Sequence, residues 1–228
     1  MASADQSIVK ATTGPAVPTP SYGPGGAFSY TTSCTIRIRA TPRECLDAVL
    51  DTSSYPQWNR FCRHVTIDSQ PPSSSSTNDI TTNLQLQMGT HFTFDVHMNL
   101  GPEEPVLPVT NASESPKGQA IALEVSVLEP ISSEGEEEGP SRNGWRIAWR
   151  QRPGAVVPAW LLTSERVHEF VEVSSDGGGV ETEYTCWETF YGPLAPVVRM
   201  TVAGKVQRGF EVWSKGLKWW VEEGKVKS

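Results

Sequence analysis

PVVRMTVAGKVQRGFEVWSKGLKWWVEE, residues Pro196 to Glu223, reads as one long amphipathic helix. Val198, Val202, Val206, Phe210, Trp213, Leu217, Trp220 and Val221 share one face, while Lys205, Arg208, Glu211, Lys215, Lys218, Glu222 and Glu223 share the other. At about 1.5 Å per residue the helix runs about 40 Å, enough to cross a small domain. Pro193 and Pro196 mark its entry, because proline is tolerated only in the first turn. Gly204, Gly209 and Gly216 lie inside it, each costing about 1 kcal/mol relative to alanine, so packing must compensate. Gly209 and Gly216 sit on the apolar face, where a missing side chain either lets a sheet approach closely or leaves room for a ligand. Val212 and Trp219 fall on the outer face.

Upstream the period changes from 3.6 to 2. Phe92, Phe94, Val96, Met98 and Leu100 alternate with His91, Thr93, Asp95, His97 and Asn99, which predicts a strand within Leu84 to Leu100 with one apolar face. The same reasoning predicts strands over Phe28–Arg39, Cys62–Asp68, Ala120–Leu128 and Trp145–Gln151. Ser164–Val173 and Val180–Phe190 flank the turn Ser174–Gly179 and read as a hairpin. Between the first two strands, Thr41 and Glu44 form a capping box with Pro42 at the first helical position, ahead of a short stripe of Cys45, Leu46, Val49 and Leu50. The residue before Pro56 is disfavoured in helix, so Asp51–Arg60 should hold a turn and a second short helix presenting Trp58.

The implied fold class is α+β: a curved antiparallel sheet of about seven strands against a long C-terminal helix. Residues 1–27 are rich in Pro, Gly, Ser and Thr and are expected as a disordered N-terminal tail, leaving 28–228 as a single domain. Flexible insertions are expected at 69–83, 101–119 and 129–143, the last holding the acidic run EGEEEG.

Composition narrows the partners. A net charge of −7, from 19 basic and 26 acidic residues, argues against a nucleic-acid backbone. Cys34, Cys45, Cys62 and Cys186 lack metal or redox spacing and read as reduced, buried thiols. The first 27 residues hold no apolar run of signal-peptide length, and no stretch long enough to span a bilayer occurs anywhere, so a soluble, cytoplasmic protein is expected. His91, Asp95 and His97 lie on the polar side of their strand, and two ligands without a third make a poor zinc site, so no metal and no cofactor is expected. No nucleophile elbow, zinc-protease motif, P-loop or dinucleotide fingerprint occurs.

Three stretches together resemble the START-like superfamily, also called SRPBCC or Bet v 1-like, and within it the polyketide cyclase/dehydrase-type subgroup. They are TPRECLDAVLDTSSYPQWNRF (Thr41–Phe61), WETFYGPL (Trp187–Leu194) with its Glu-x-Phe-x-Gly pattern, and GFEVWSKGLKWWVEE (Gly209–Glu223). The resemblance implies a helix-grip fold with a hydrophobic cavity between sheet and helix. Its ligand would be a lipid, quinone or polyketide-like molecule. The wall residues so implied are Trp58, Phe92, Phe94, Val96, Met98, Trp145, Trp149, Phe170, Phe190, Val206, Phe210 and Trp213. The family pattern also puts Tyr184, Cys186, Glu188 and Phe190 on the inner face, with His168 and Phe170 opposite if the ambiguous alternation of Ser164–Val173 resolves that way.

Two alternatives stand beside a binding function. A polyketide cyclase or dehydratase-like enzyme would use His168, Glu188 and Tyr184 as acid and base, whereas Glu188 could instead cap the terminal helix or pair with a basic residue. A chaperone-activator-like module would need an apolar surface patch, for which Val212 and Trp219 are the candidates.

Overall fold

Local signals set the first elements. The computed structural model describes residues 9–72, 84–100, 118–132, 142–152, 157–175 and 178–224. Helix α1 (Pro42–Leu50) begins at the predicted capping box: Thr41 Oγ1 accepts from Glu44 N–H at 3.3 Å, and the Glu44 carboxylate accepts from Thr41 N–H at 3.0 Å. A 3-10 turn at Thr52–Ser54 leads into the single-turn helix α2 (Tyr55–Trp58). The chain closes with α3 (Ala195–Glu222), one residue out from the predicted span at either end.

Among the described residues eight strands form one antiparallel sheet: β1 (Thr12–Pro15), β2 (Tyr30–Ile38), β3 (Cys62–Ser69), β4 (His91–Val96), β5 (Gln119–Ser132), β6 (Asn143–Gln151), β7 (Thr163–Ser174) and β8 (Val180–Tyr191). Their spatial order is β1-β2-β8-β7-β6-β5-β4-β3. The protein is therefore α+β, with one more strand than expected. β4 is shorter than the predicted Leu84–Leu100, because the chain ahead of it turns at Gly89 (φ +80°) and Leu86 N–H is taken by Leu50 O. β5 is longer than Ala120–Leu128, because Glu129–Ser132 pair with Asn143–Arg146. The remainder of the three expected insertions, including EGEEEG, lies almost wholly outside the described residues.

The additional strand corrects the reading of residues 1–27 as a disordered tail. From Val9 onward the segment is folded onto the domain. Thr12–Pro15 add to the free edge of β2, and Ala11 N–H and Thr13 Oγ1 bond Glu211 and Gln207 of α3. Residues 17–23 then cross the outer face of the sheet: Thr189 Oγ1 donates to Val17 O at 2.7 Å, and the buried Glu165 carboxylate accepts from Ser21 N–H and Ser21 Oγ at 2.8 and 2.7 Å. These bonds are backbone and side-chain pairings that composition cannot reveal. Along the same side of α3, Val212 is buried at 4% exposure, correcting its assignment to an outer face, while Trp219 is half-buried.

The inner face of the sheet packs against α3 through Val206, Phe210, Trp213 and Leu217. The two glycines on that helix face serve α2 and the residue that follows its turn. A Cβ on Gly209 would lie 2.4 Å from the Phe61 ring, and one on Gly216 would lie 2.4 Å from the Trp58 carbonyl oxygen. Backbone cannot rotate away as a side-chain tip can. Gly216→Ala is therefore expected to destabilise by about 1–3 kcal/mol through overpacking, whereas Gly204→Ala, which meets nothing within 4 Å, should stabilise by about 1 kcal/mol. Urea denaturation of the two variants checks this; equal midpoints would contradict the close approach.

All four cysteines are buried and unbridged. No described helix is long and apolar enough to cross a membrane.

Candidate functional site

The space between sheet and α3 is filled at one end and open at the other. At the filled end α1 packs on β6, β7 and β8, burying Cys45, Leu46 and Val49. There Trp213 meets Tyr55, Trp58 and His168 with ring centroids 5.4–5.6 Å apart. At the open end a cavity of about 310 Å³ remains, bounded by Phe94, Val96 and Met98, by Trp149, by Phe190, and by Val198, Val202 and Val206 of the first half of α3. That volume is at the lower end of small-molecule pockets, about 300–1,000 Å³.

Half of the twelve expected wall residues are on the wall: Phe94, Val96, Met98, Trp149, Phe190 and Val206. Five others are core. Trp58, Phe92, Phe170, Phe210 and Trp213 are at most 1% exposed; Trp58 and Trp213 pack on each other, Phe92 and Phe170 on neighbouring rings, and Phe210 lies under the Arg166 guanidinium. Trp145, half-buried, lies at the far end of β6 under the Arg43 guanidinium, 5.3 Å from its ring centroid.

The ambiguous alternation of β7 resolves with Ser164, Arg166, His168 and Phe170 inward. The β7–β8 register sets Arg166 opposite Glu188, His168 opposite Cys186 and Phe170 opposite Tyr184. Of the three tentative catalytic groups, only Glu188 reaches the cavity. His168 and Tyr184 are sealed in the core at 0% exposure, His168 Nδ1 lying 2.6 Å from the Tyr184 hydroxyl and the imidazole 4.3 Å from the Trp149 ring. Burial, and next the charge of Arg166, hold His168 well below its ordinary value. Burial likewise pushes the Tyr184 phenol up, so both groups are neutral and share one buried hydrogen bond.

A pH dependence follows. The unfolded chain takes up a proton at His168 below its ordinary pKa of about 6.5, and the folded chain does not. Stability is then full above about pH 6.5 and falls below it by up to about 1.4 kcal/mol per pH unit, until the lower folded value is reached. As the pH falls below about 6.5 the wild type should lose stability that a His168→Gln variant retains, as measured by urea midpoints; parallel losses would refute the assignment.

The residue that the sequence reading passed over is Arg166. It lines the cavity with 7% of its surface exposed. Its Nε and Nη2 both donate to Glu188 Oε2, at 3.1 and 2.9 Å, while Ser164 Oγ donates to Glu188 Oε1 at 2.8 Å. The guanidinium also lies 4.3 Å from the Phe210 ring centroid and 5.4 Å from that of Phe61. Burial alone would lower Arg166, but the adjacent Glu188 carboxylate more than offsets it and keeps the guanidinium charged. Of the roles open to Glu188, pairing with a basic residue is the one found. The available signal was period 2: if His168 faces inward, so does Arg166, two residues before it.

Cys62 also lines the cavity, where burial pushes its thiol up to about 12 and makes it a poor nucleophile. Among the described residues no group of three or more His, Cys, Asp and Glu side chains is placed to hold a metal ion. The site therefore offers a largely apolar chamber whose wall holds the charge-neutral Arg166–Glu188–Ser164 cluster and, elsewhere on its lining, Gln119 and Gln151.

No family model matches the chain. The Penicillium oxalicum protein named Oxopyrrolidines biosynthesis cluster protein O is 35% identical over 167 residues, spanning 71% of this chain and 71% of that one. Among solved structures, a hypothetical protein of Helicobacter pylori superposes with a TM-score of 0.50 at 15% identity, over 83% of this chain and 86% of that chain, a likeness of fold alone. A protein of Mesorhizobium loti aligns more loosely, with a TM-score of 0.44 at 12% identity over 83% of this chain and 96% of that one.

Proposed function

The chain belongs to the family of the Penicillium oxalicum Oxopyrrolidines biosynthesis cluster protein O, and from that premise we propose that it binds a hydrophobic small molecule between sheet and α3, as a START-like, helix-grip domain does. The observation that carries this reading is the cavity of about 310 Å³, walled by Phe94, Trp149, Phe190 and three valines of α3. Burial of an apolar ligand there would contribute about 25 cal/mol per Å² of its surface. The relative's name sets that protein in a biosynthesis cluster, which fits a metabolite of lipid, quinone or polyketide kind as the occupant.

The cyclase or dehydratase alternative needs an acid or base in contact with the ligand. Glu188 is committed to Arg166 and Ser164, and His168 and Tyr184 are behind the wall, which supports binding over acid–base chemistry. The protein-interaction alternative loses Val212 to the interior.

Native mass spectrometry of the protein purified from its own source, followed by denaturation, tests the proposal. An organic molecule released at about one per chain is the expected result. Phe94→Asp, which sets an unpaired charge in the apolar wall, should abolish that occupancy. A wild type that emerges empty and takes up no apolar probe would overturn it.

A further inference from the structure

Resting on that reading, the cavity wall also indicates what polar group its ligand carries. Arg166 has five N–H donors, and two of its three nitrogens are taken up by Glu188 Oε2. Nη1 donates to no described residue and keeps surface open to the cavity that Arg166 borders, although the residue as a whole is more than nine-tenths buried. A guanidinium nitrogen left with unfilled donors in an apolar chamber calls for an acceptor. Glu188, already neutralising the guanidinium, restricts what that acceptor can be. A carboxylate or phosphate would bring a second negative charge beside Glu188 and leave a net charge in a chamber walled by Phe94, Trp149 and Phe190. An ammonium group would meet Arg166 with like charge. A neutral oxygen acceptor meets neither penalty.

We infer that the ligand is an uncharged, largely apolar molecule that presents a neutral acceptor oxygen, such as that of a ketone, ester or lactam, to Arg166 Nη1. Ser164 and Glu188 are positioning residues in this arrangement: Ser164 Oγ fixes one carboxylate oxygen, and the other holds the guanidinium with Nη1 free.

The test uses three probes of matched shape, 2-acetylnaphthalene, 2-ethylnaphthalene and 2-naphthoate, in equilibrium dialysis against the full-length protein. The wild type should bind the ketone about 10- to 100-fold more tightly than the ethyl compound, the range expected for a hydrogen bond to a charged donor, and the carboxylate more weakly than the ketone. Arg166→Met combined with Glu188→Leu replaces the ion pair by side chains of similar volume and keeps the wall apolar, so it should fold. In that double variant the preference for the ketone should fall to about 3-fold or less while the ethyl compound still binds. Binding of the ethyl compound with no preference for the ketone, or tighter binding of 2-naphthoate, would overturn the inference and leave the cavity reading intact. Failure of all three probes to bind would overturn both.

Discussion

Arg166→Leu alone should cost about 3–5 kcal/mol of folding stability, the usual penalty for removing one partner of a buried ion pair. The side chains of Arg166 and Glu188 are only 8% and 15% exposed, so little solvent screening discounts the pair. Without the guanidinium, Glu188 keeps one hydrogen bond, from Ser164, and an uncompensated charge in a cavity lined also by Phe190 and Val206. For a domain of this size each kcal/mol corresponds to about 2–4 °C, so the melting temperature should fall by about 6–20 °C. The double variant, Arg166→Met with Glu188→Leu, removes both charges and should stay within about 2 kcal/mol of wild type. Thermal denaturation of the single and double variants decides the matter. If both variants lose the same amount, the pair is not electrostatically coupled as its geometry indicates.

Trp213→Ala should be as damaging, at about 3–5 kcal/mol, through lost burial and the void left behind. Its ring is 1% exposed and lies 5.4 Å from Trp58, 5.4 Å from His168, 5.6 Å from Tyr55 and 6.0 Å from Trp149. It is thus the joint between α3, α2 and the sheet. Trp213 Nε1 has no hydrogen-bond partner, so Trp213→Phe forfeits volume alone and should cost less than half as much. Urea midpoints of the two variants measure the difference. A Trp213→Ala protein within 1 kcal/mol of wild type would mean that the closed end is far more plastic than close packing allows. Because Trp149 connects this cluster to the cavity, Trp213→Ala should also weaken retention of any apolar ligand.

The architecture was legible in the chain wherever structure has a local cause. The capping box at Thr41 and Glu44, the prolines that open α3 and the alternation of Phe92, Phe94 and Val96 each specify an element within a few residues. Period alone likewise placed Val206, Phe210 and Trp213 on the helix face turned to the sheet. β1 carried no such signal. Thr12–Pro15 is a strand because the edge of β2 offers unpaired backbone groups beside it, and that edge exists only once the sheet has formed.

The site divides along the same line. That apolar side chains from the strands and α3 face one another follows from periodicity, and together with the family resemblance it pointed to six residues of the cavity wall. Which of those faces meet and which stay apart depends on the volume that α1, α2 and Phe61 occupy between the layers, a sum over elements distant in sequence. Trp58, Phe170 and Trp213 have the same composition and spacing as wall residues, yet they are core because helices cover them. The partnership of Arg166 with Glu188 likewise depends on the β7–β8 register, and their isolation from His168 and Tyr184 depends on where the packing closes. Strand and helix faces are properties of neighbours along the chain. A cavity is the volume that packing leaves unfilled, and only the folded arrangement of all the elements defines it.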